Sequence, residues 1–318
     1  MKRLIMDGPK KSSVVDVPDL VPGDNQVLIK VKYCGVCMSE HYSWSVAKKG
    51  DVFGHEPMGH VAAVGKNVTR FKIGDRVSGL GGAAFSEYTI TNEKTTFHIP
   101  DSIPDVDATL EPLMCLLSAA NKLAIPVIGD TVAVVGTGYM GLGAVSLLKQ
   151  VKGAGRVVAV DLRPEARANA LKYGADEVYA PDEIPEEYIA DMAHISGRGF
   201  SVVAEWGETA ESLDLAIKLT KMNGQLGIGA YHTGGNRSVD VQLLNVKSID
   251  ALSTHPRHTE DEFVTLGNNV IRLLDSGKWK FINLPHKIFK LNEFDLAHEE
   301  IHEKPGNYIK GLIDCTRW

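Results

Sequence analysis

Two short segments of this sequence gather side chains that could hold a metal ion. Cys34-Gly35-Val36-Cys37 is a CxxC, and Gly54-His55-Glu56-Pro57 sets a histidine and a carboxylate in a turn stiffened by Gly and Pro. A catalytic zinc takes three protein ligands and keeps a fourth position open for water or substrate. One cysteine of the pair, Cys37 being a fit, can join His55 and a carboxylate in such a set. Two carboxylates compete for the third place. One is Glu56; the other is Glu111, a charge in the otherwise apolar run Leu110-Glu111-Pro112-Leu113, where leaving it unpaired would be expensive. Other uses of the CxxC fit less well. A closed zinc ribbon needs a second pair, and Cys115 and Cys315 stand alone. A thioredoxin-like redox pair usually adjoins a βαβ unit, which this segment lacks.

A second chemistry is written in glycine. Gly136-Thr137-Gly138-Tyr139-Met140-Gly141 follows the apolar run Val132–Val135 and opens a stretch carrying Leu142, Val145 and Leu148, while Asp161 ends the next apolar run, Val157–Val160. Strand, GxGxxG, helix and an acid about twenty residues on together form a dinucleotide-binding fingerprint. Gly136, Gly138 and Gly141 allow the tight turn and close approach, and the free N–H groups where Tyr139 and Met140 start the helix hold a pyrophosphate. Asp161 would accept hydrogen bonds from the adenosine ribose and repel a 2′-phosphate, which favours NAD over NADP. Arg163, two residues later, weakens that exclusion because its guanidinium can meet a phosphate.

These residues call for two frames. Over the first 120 residues, alternation at Val27, Ile29, Val31 and Tyr33 and short runs at Val61 to Val64, Arg76 to Ser78 and Tyr88 to Thr91 predict strands of a small barrel or sandwich. From about residue 130, strands are expected at Thr131–Gly136, Arg156–Asp161, Glu177–Tyr179, Ser201–Trp206, Gln225–Gly229 and Ser248–Ser253. Helices such as Met140–Val151, Pro164–Tyr173 and Ala210–Thr220 lie between them, so a parallel, doubly wound sheet follows. Beyond it, a helix at Asp261–Leu274 and short β-like runs around Ile288 and Tyr308–Ile313 could complete the first domain.

Composition sets the outer bounds. A length of 318 residues favours two domains, since one core rarely grows past about 250–300 residues. The 44% hydrophobic content excludes disorder, and a net charge of −6 without a Lys/Arg block excludes nucleic acid as the main partner. Four cysteines are too few for a disulfide-built fold, so a reducing, cytoplasmic setting is expected. The start, Met1-Lys2-Arg3-Leu4-Ile5-Met6-Asp7, meets an acid before any apolar run of signal-peptide length. Thr131 to Leu148 is free of charge for eighteen residues, but four glycines within it favour strand, turn and helix over a membrane span.

Taken in order, Cys34-Gly35-Val36-Cys37-Met38-Ser39-Glu40, Gly54-His55-Glu56 with Gly59, Phe71-Lys72-Ile73-Gly74-Asp75-Arg76-Val77 and the nucleotide motif resemble the zinc-dependent medium-chain dehydrogenases over nearly the whole chain. Glu111-Pro112-Leu113 is similar to the sorbitol (polyol) dehydrogenase branch. The resemblance implies an α/β chain: a GroES-like β-barrel catalytic domain from residues 1–121 and 258–318, with a Rossmann dinucleotide-binding domain, residues 122–257, inserted. It implies Cys37 and His55 as zinc ligands, Glu56 and Glu111 as carboxylates that ligate zinc or hold its water, Ser39 as the hydroxyl relaying the alcohol proton, and Lys310 as a basic group facing the cofactor pyrophosphate. Cys34 falls on no ligand position. Three departures stand out. Glu40 replaces the usual Asp, Tyr42 stands where a relay histidine is expected with His41 one place early, and the four-cysteine lobe of many members is missing between Ser78-Gly79 and Gly81-Gly82-Ala83-Ala84. One catalytic zinc per chain and no structural zinc are therefore expected.

The implied reaction is hydride transfer between a secondary alcohol and NAD. A carboxylate in place of a third cysteine makes the metal surroundings harder and better hydrated, which points to a polyol, cyclitol or sugar substrate. Competing readings are a zinc-free quinone or enoyl reductase of the same fold and a non-catalytic NAD-binding protein. The expected partners are the small-molecule substrate and further copies of the chain, as a homodimer or homotetramer, with neither nucleic acid nor membrane. His232, beyond the strand Gln225–Gly229, is a candidate cleft residue, and His255 and His258 are candidates for a subunit contact.

Overall fold

In a computed structural model of the protein, residues 1–125, 127–255 and 259–318 are described; His258 lies outside them. The chain divides into two compact units: Met1–Met114, His258–Asp275 and Ile282–Trp318 in the first, Cys115–Arg257 and Ser276–Phe281 in the second.

The first unit opens with a hairpin, β1 (Lys2–Gly8) and β2 (Lys11–Asp16). Then follow β3 (Gln26–Gly35), helix α1 (Met38–Ser45), β4 (Pro57–Val64), β5 (Arg76–Gly79), β6 (Tyr88–Asn92), β7 (Thr96–His98) and helix α2 (Leu110–Lys122). β3 is the hub, pairing antiparallel with β4 and with β6. That position changes one expectation: Leu28, on the face opposite Val27 and Ile29, is also buried, because a strand with several partners leaves little of either face to water.

Six strands of the second unit form a wholly parallel sheet. They are β8 (Thr131–Val135), β9 (Arg156–Val160), β10 (Glu177–Tyr179), β11 (Phe200–Glu205), β12 (Thr220–Ile228) and β13 (Asp250–Ser253), with helices α3 (Tyr139–Gln150), α4 (Pro164–Tyr173), α5 (Ala210–Leu219) and α6 (Val241–Val246) between them. Their order, β10-β9-β8-β11-β12-β13, is the doubly wound arrangement in which ligands bind outside the carboxyl ends of the strands. Val132 to Val135, Val157 to Val160 and Val202 to Ala204 are all buried, as expected of strands covered by helices on both faces.

The chain then returns to the first unit with helix α7 (Glu260–Asp275), β14 (His286–Lys290), helix α8 (Phe294–Glu303) and β15 (Lys310–Asp314). β15 pairs with β14 and, antiparallel, with β3, so the two chain ends share one sheet. The boundaries differ from those read in the sequence. Residues 115–121, assigned there to the first domain, belong to the second unit, where a Cβ on Gly143 of α3 would collide with Leu116. Residues 276–281 move likewise, drawn by Trp279, a fully buried ring whose indole N–H donates to Ser146 Oγ at 3.1 Å. Hydrophobic anchoring at isolated positions escapes a strand-and-helix count.

Candidate active site

The metal candidates converge in the first unit. Cys37 is the N-cap of α1. Ser39, in the first turn of α1, donates from Oγ to Cys37 Sγ at 3.2 Å. His55 follows Gly54, whose φ of +104° is glycine's own region, and Glu56 precedes Pro57, which holds it extended. Ligand atoms of Cys37, His55 and Glu56 lie within 4.8 Å of one another, and no other trio of His, Cys, Asp or Glu among the described residues does so. From His55 Nε2 the carboxylates of Glu56 and Glu111 are each 4.0 Å away, so Glu111, in the first turn of α2, joins the cluster. Cys34, by contrast, is fully buried, and burial pushes its thiol well above the ordinary range.

The surroundings of His55 describe a place for a cation. Burial pulls its pKa down, but Cys37 and Glu40 outweigh that and raise it to about 12. A site that asks so strongly for positive charge suits a metal ion, which would leave the imidazole neutral and ligating. Glu40 then has a clear part. Its Oε1 accepts from Gly54 N–H at 2.8 Å and lies 2.9 Å from His55 Nδ1, which keeps that nitrogen protonated and turns Nε2 toward the cluster. Glu56 is fully buried, and its Oε1 has no hydrogen-bond partner, a state a buried carboxylate keeps only where something else meets it. Gly35 makes room for it, since a Cβ there would collide with the Glu56 carboxylate. The donor set, one thiolate, one imidazole and carboxylates, fits zinc.

Lys310, expected to face a pyrophosphate, sits in this same cluster. Its Nζ is 2.7 Å from Glu56 Oε2 and donates to the Val36 carbonyl at 3.1 Å. Burial lowers its pKa, yet Glu56, Cys37 and Glu111 together hold it above its ordinary value. The pairing was out of reach of sequence, because β15 meets the Cys37 and Glu56 segments only through sheet topology. His41 is turned away, its Nδ1 2.9 Å from the His298 carbonyl, while Tyr42 is half exposed.

In the second unit, β8 ends at Val135 and the turn Gly136–Gly138 leads into α3, with Gly138 as N-cap. A Cβ on Gly141 would collide with the Gly136 carbonyl, so only glycine lets the helix start this close to the strand end. Tyr139 and Met140 are half-buried in the first turn of α3. Asp161, just past β9, accepts from Thr137 N–H at 2.7 Å through Oδ2 and from Arg163 N–H at 2.9 Å through Oδ1. It thus braces the glycine turn. Arg163 Nε is 3.7 Å from the same carboxylate.

His232 lies beyond β12 with a φ of +50°, and its Nε2 is 3.0 Å from Glu205 Oε2 at the end of β11. Glu205, fully buried, escaped notice in the sequence because its partners, the N–H groups of Gly207 and Glu208 and the Ser212 hydroxyl, form a local turn that no metal or nucleotide motif announces. His255 makes a ring contact with Tyr231, 5.4 Å between centroids.

Comparison with known proteins decides the family. Residues 23–101 match the alcohol dehydrogenase GroES-like domain, and residues 140–267 match the zinc-binding dehydrogenase family. The alcohol dehydrogenase notN of Aspergillus sp. is 32% identical over 249 residues, 67% of this chain and 71% of that protein. The chain belongs to the zinc-binding alcohol dehydrogenase family. It is similar to the sorbitol dehydrogenase of Halalkalibacterium halodurans, 26% identical over 349 residues that take in 98% of this chain and 99% of the relative. In fold it matches the 2R,3R-butanediol dehydrogenase of Bacillus subtilis with a TM-score of 0.80 at 23% identity, covering 98% and 99% of the two chains. The protein is thus a zinc-type oxidoreductase acting on a small-molecule alcohol with a nicotinamide dinucleotide, built from a GroES-like unit and a Rossmann sheet. Among the described residues, no helix is long and apolar enough to cross a membrane.

Proposed function

We propose that the protein transfers hydride between a secondary hydroxyl of a polyol, cyclitol or sugar and NAD. The observation that carries this reading is the convergence of Cys37, His55 and Glu56 ligand atoms within 4.8 Å, with Glu111 beside them. Cys37, His55 and one of the two carboxylates hold the metal, and the other carboxylate holds water. Zinc supplies Lewis acidity that lowers the pKa of a bound alcohol, and the dinucleotide supplies the hydride acceptor. Ser39 takes the alcohol proton at Oγ and passes its own toward solvent. Glu40 keeps His55 in its ligating tautomer. Gly136, Gly138 and Gly141 admit the pyrophosphate to the start of α3, and Asp161 takes the ribose hydroxyls and disfavours a 2′-phosphate. Lys310, paired with Glu56, offsets the negative charge of the cluster.

Carboxylates around the metal favour hydroxyl-rich substrates, since a site built to hydrogen-bond neighbouring hydroxyls discriminates against analogues lacking them. The names of the sorbitol dehydrogenase and D-arabitol-phosphate dehydrogenase relatives agree with that class. We place the enzyme in the cytoplasm as a homodimer or homotetramer, without a nucleic-acid or membrane partner. The test is a panel of alditols, cyclitols, sugars and simple alcohols assayed with NAD and with NADP, alongside metal analysis. Faster turnover of butanol or benzyl alcohol than of every polyol would remove the substrate class, and full activity without zinc would remove the mechanism.

A further inference from the structure

Ser78 of β5 is fully buried, and its hydroxyl is used twice. Oγ donates to the Pro57 carbonyl at 2.8 Å and accepts from Leu110 N–H at 3.1 Å. The two roles cannot be exchanged, because a carbonyl only accepts and a backbone N–H only donates. Pro57 follows Glu56, and Leu110 precedes Glu111. One buried oxygen therefore joins the two segments, far apart in sequence, that carry the carboxylates of the metal cluster.

Strands on both sides hold Ser78 itself. It pairs with Met58 across the β4–β5 ladder and with Phe97 across β5–β7. A Cβ on Gly81, three residues on, would meet the Pro57 ring at 2.9 Å, so the turn after β5 closes over the same proline. The first N–H groups of a helix have no partner inside it. Ser78 supplies one for α2 from a rigid strand, and so fixes where the first turn of α2, Glu111 included, stands relative to Glu56. Both carboxylates then lie 4.0 Å from His55 Nε2. A second anchor keeps α2 in the fold: Asp107, three residues before Leu110, accepts from Asn283 N–H at 2.7 Å, and its Oδ1 is 2.8 Å from His286 Nε2. Loss of the Ser78 hydroxyl should therefore shift Glu111 without unfolding the unit.

We propose that Ser78 is a positioning residue that sets the spacing of Glu56 and Glu111, so that one carboxylate ligates the metal while the other holds its water. This rests on the metal site proposed above. The test is zinc competition against a chelator on the full chain, with the cobalt-loaded chain for its spectrum. Ser78→Ala should fold, hold zinc about tenfold more weakly and shift the visible cobalt bands, which report ligand geometry. In a Glu111→Gln background the same change should cost less than about twofold, because a residue that acts through Glu111 then has nothing left to position. Ser78→Cys, similar in shape but a weaker donor, should fall between serine and alanine. Equal losses in both backgrounds would make Ser78 a packing residue and overturn the proposal. So would native zinc affinity and an unshifted cobalt spectrum in Ser78→Ala. A native chain that takes up no zinc would instead sink the metal site itself, and the proposal with it.

Discussion

Cys37, His55, Glu56, Glu111 and Lys310 reach one cluster from distant points of the chain, carried by α1, the lead into β4, α2 and β15. The nucleotide turn Gly136–Gly141 is a single unbroken stretch, braced from a distance by Asp161 and by the Val160 carbonyl, which accepts from Gly136 N–H. The first cluster is made of charged and polar side chains, the proposed nucleotide site of backbone N–H groups that glycine exposes. Each unit also buries a lysine. Lys310 sits among carboxylates, which hold its pKa up; Lys247 has its Nζ donating to the carbonyls of Ala190, Ile217 and Lys218, with Asp191 a nearby charge that only partly offsets the effect of burial. Side-chain sites depend on which residues the fold brings together, and backbone sites on what a few adjacent residues allow.

The largest expected effect is on the side-chain site. Cys37→Ser should cut alcohol oxidation by about a thousandfold or more, since the lost Lewis acid is worth several kcal/mol. Zinc content should fall by one equivalent per chain. NADH affinity, read by fluorescence titration, should stay within about twofold, because the nucleotide turn shares no residue with the cluster. Chelation should reproduce the pattern. A parallel collapse of NADH binding would show that the two sites do not separate in this way.

Next comes the residue behind the ligand. Glu40→Gln keeps the shape but presents an amide to His55 Nδ1, and loss of such outer support typically costs 10–100-fold in metal affinity or activity. Zinc competition against a chelator, with kcat/KM, measures it. If Glu40→Gln held zinc as tightly as the native chain, Glu40 would be a packing residue and the cluster would end at its ligands.

The unequal legibility of the two sites follows from the same contrast. GxGxxG with its flanking strands is a local code, so the turn, α3 and Asp161 were all readable, as were the boundaries of α4 and β10. The metal candidates were readable as residues, through their types and flanking Gly and Pro. Their pairing was not: Lys310 on Glu56 and Glu40 on His55 depend on sheet register and on which way a helix faces. Helix α1 also carries no strong apolar stripe, so nothing periodic in the sequence announces it. The hub role of β3 likewise needs its partners before both faces can be known.

A smaller effect tests the backbone site. Asp161→Ser should narrow the preference for NAD over NADP by about tenfold, as the charge facing a 2′-phosphate disappears and Arg163 is released. Because Asp161 also accepts from Thr137 N–H, the variant should lose about 1 kcal/mol of stability. Both come from kinetics with each cofactor and a urea melt. An unchanged cofactor ratio would mean that the turn alone, without its acid, selects the nucleotide.

The finest test uses the lysine of the second unit. Burial pulls Lys247 down to about 8 from an ordinary 10.5, and its three carbonyl partners lower the cost of keeping the charge without supplying a counter-ion. The unfolded chain therefore keeps this proton up to about pH 10.5 while the folded chain sheds it above about pH 8. Between those values the unfolded state binds more protons, so stability from this group rises with pH, by at most about 1.4 kcal/mol per unit. Below pH 8 both states are charged and the group contributes no slope. Lys247→Met should be less stable at every pH, since it leaves the carbonyls at the end of α5 unpaired, and it should lack this slope. Urea melts at pH 7, 8 and 9 would therefore run parallel for the two chains up to pH 8 and diverge at pH 9. Parallel behaviour throughout would mean that the three carbonyls hold the ammonium charged as firmly as the carboxylates around Lys310 do, erasing the distinction between the two buried lysines.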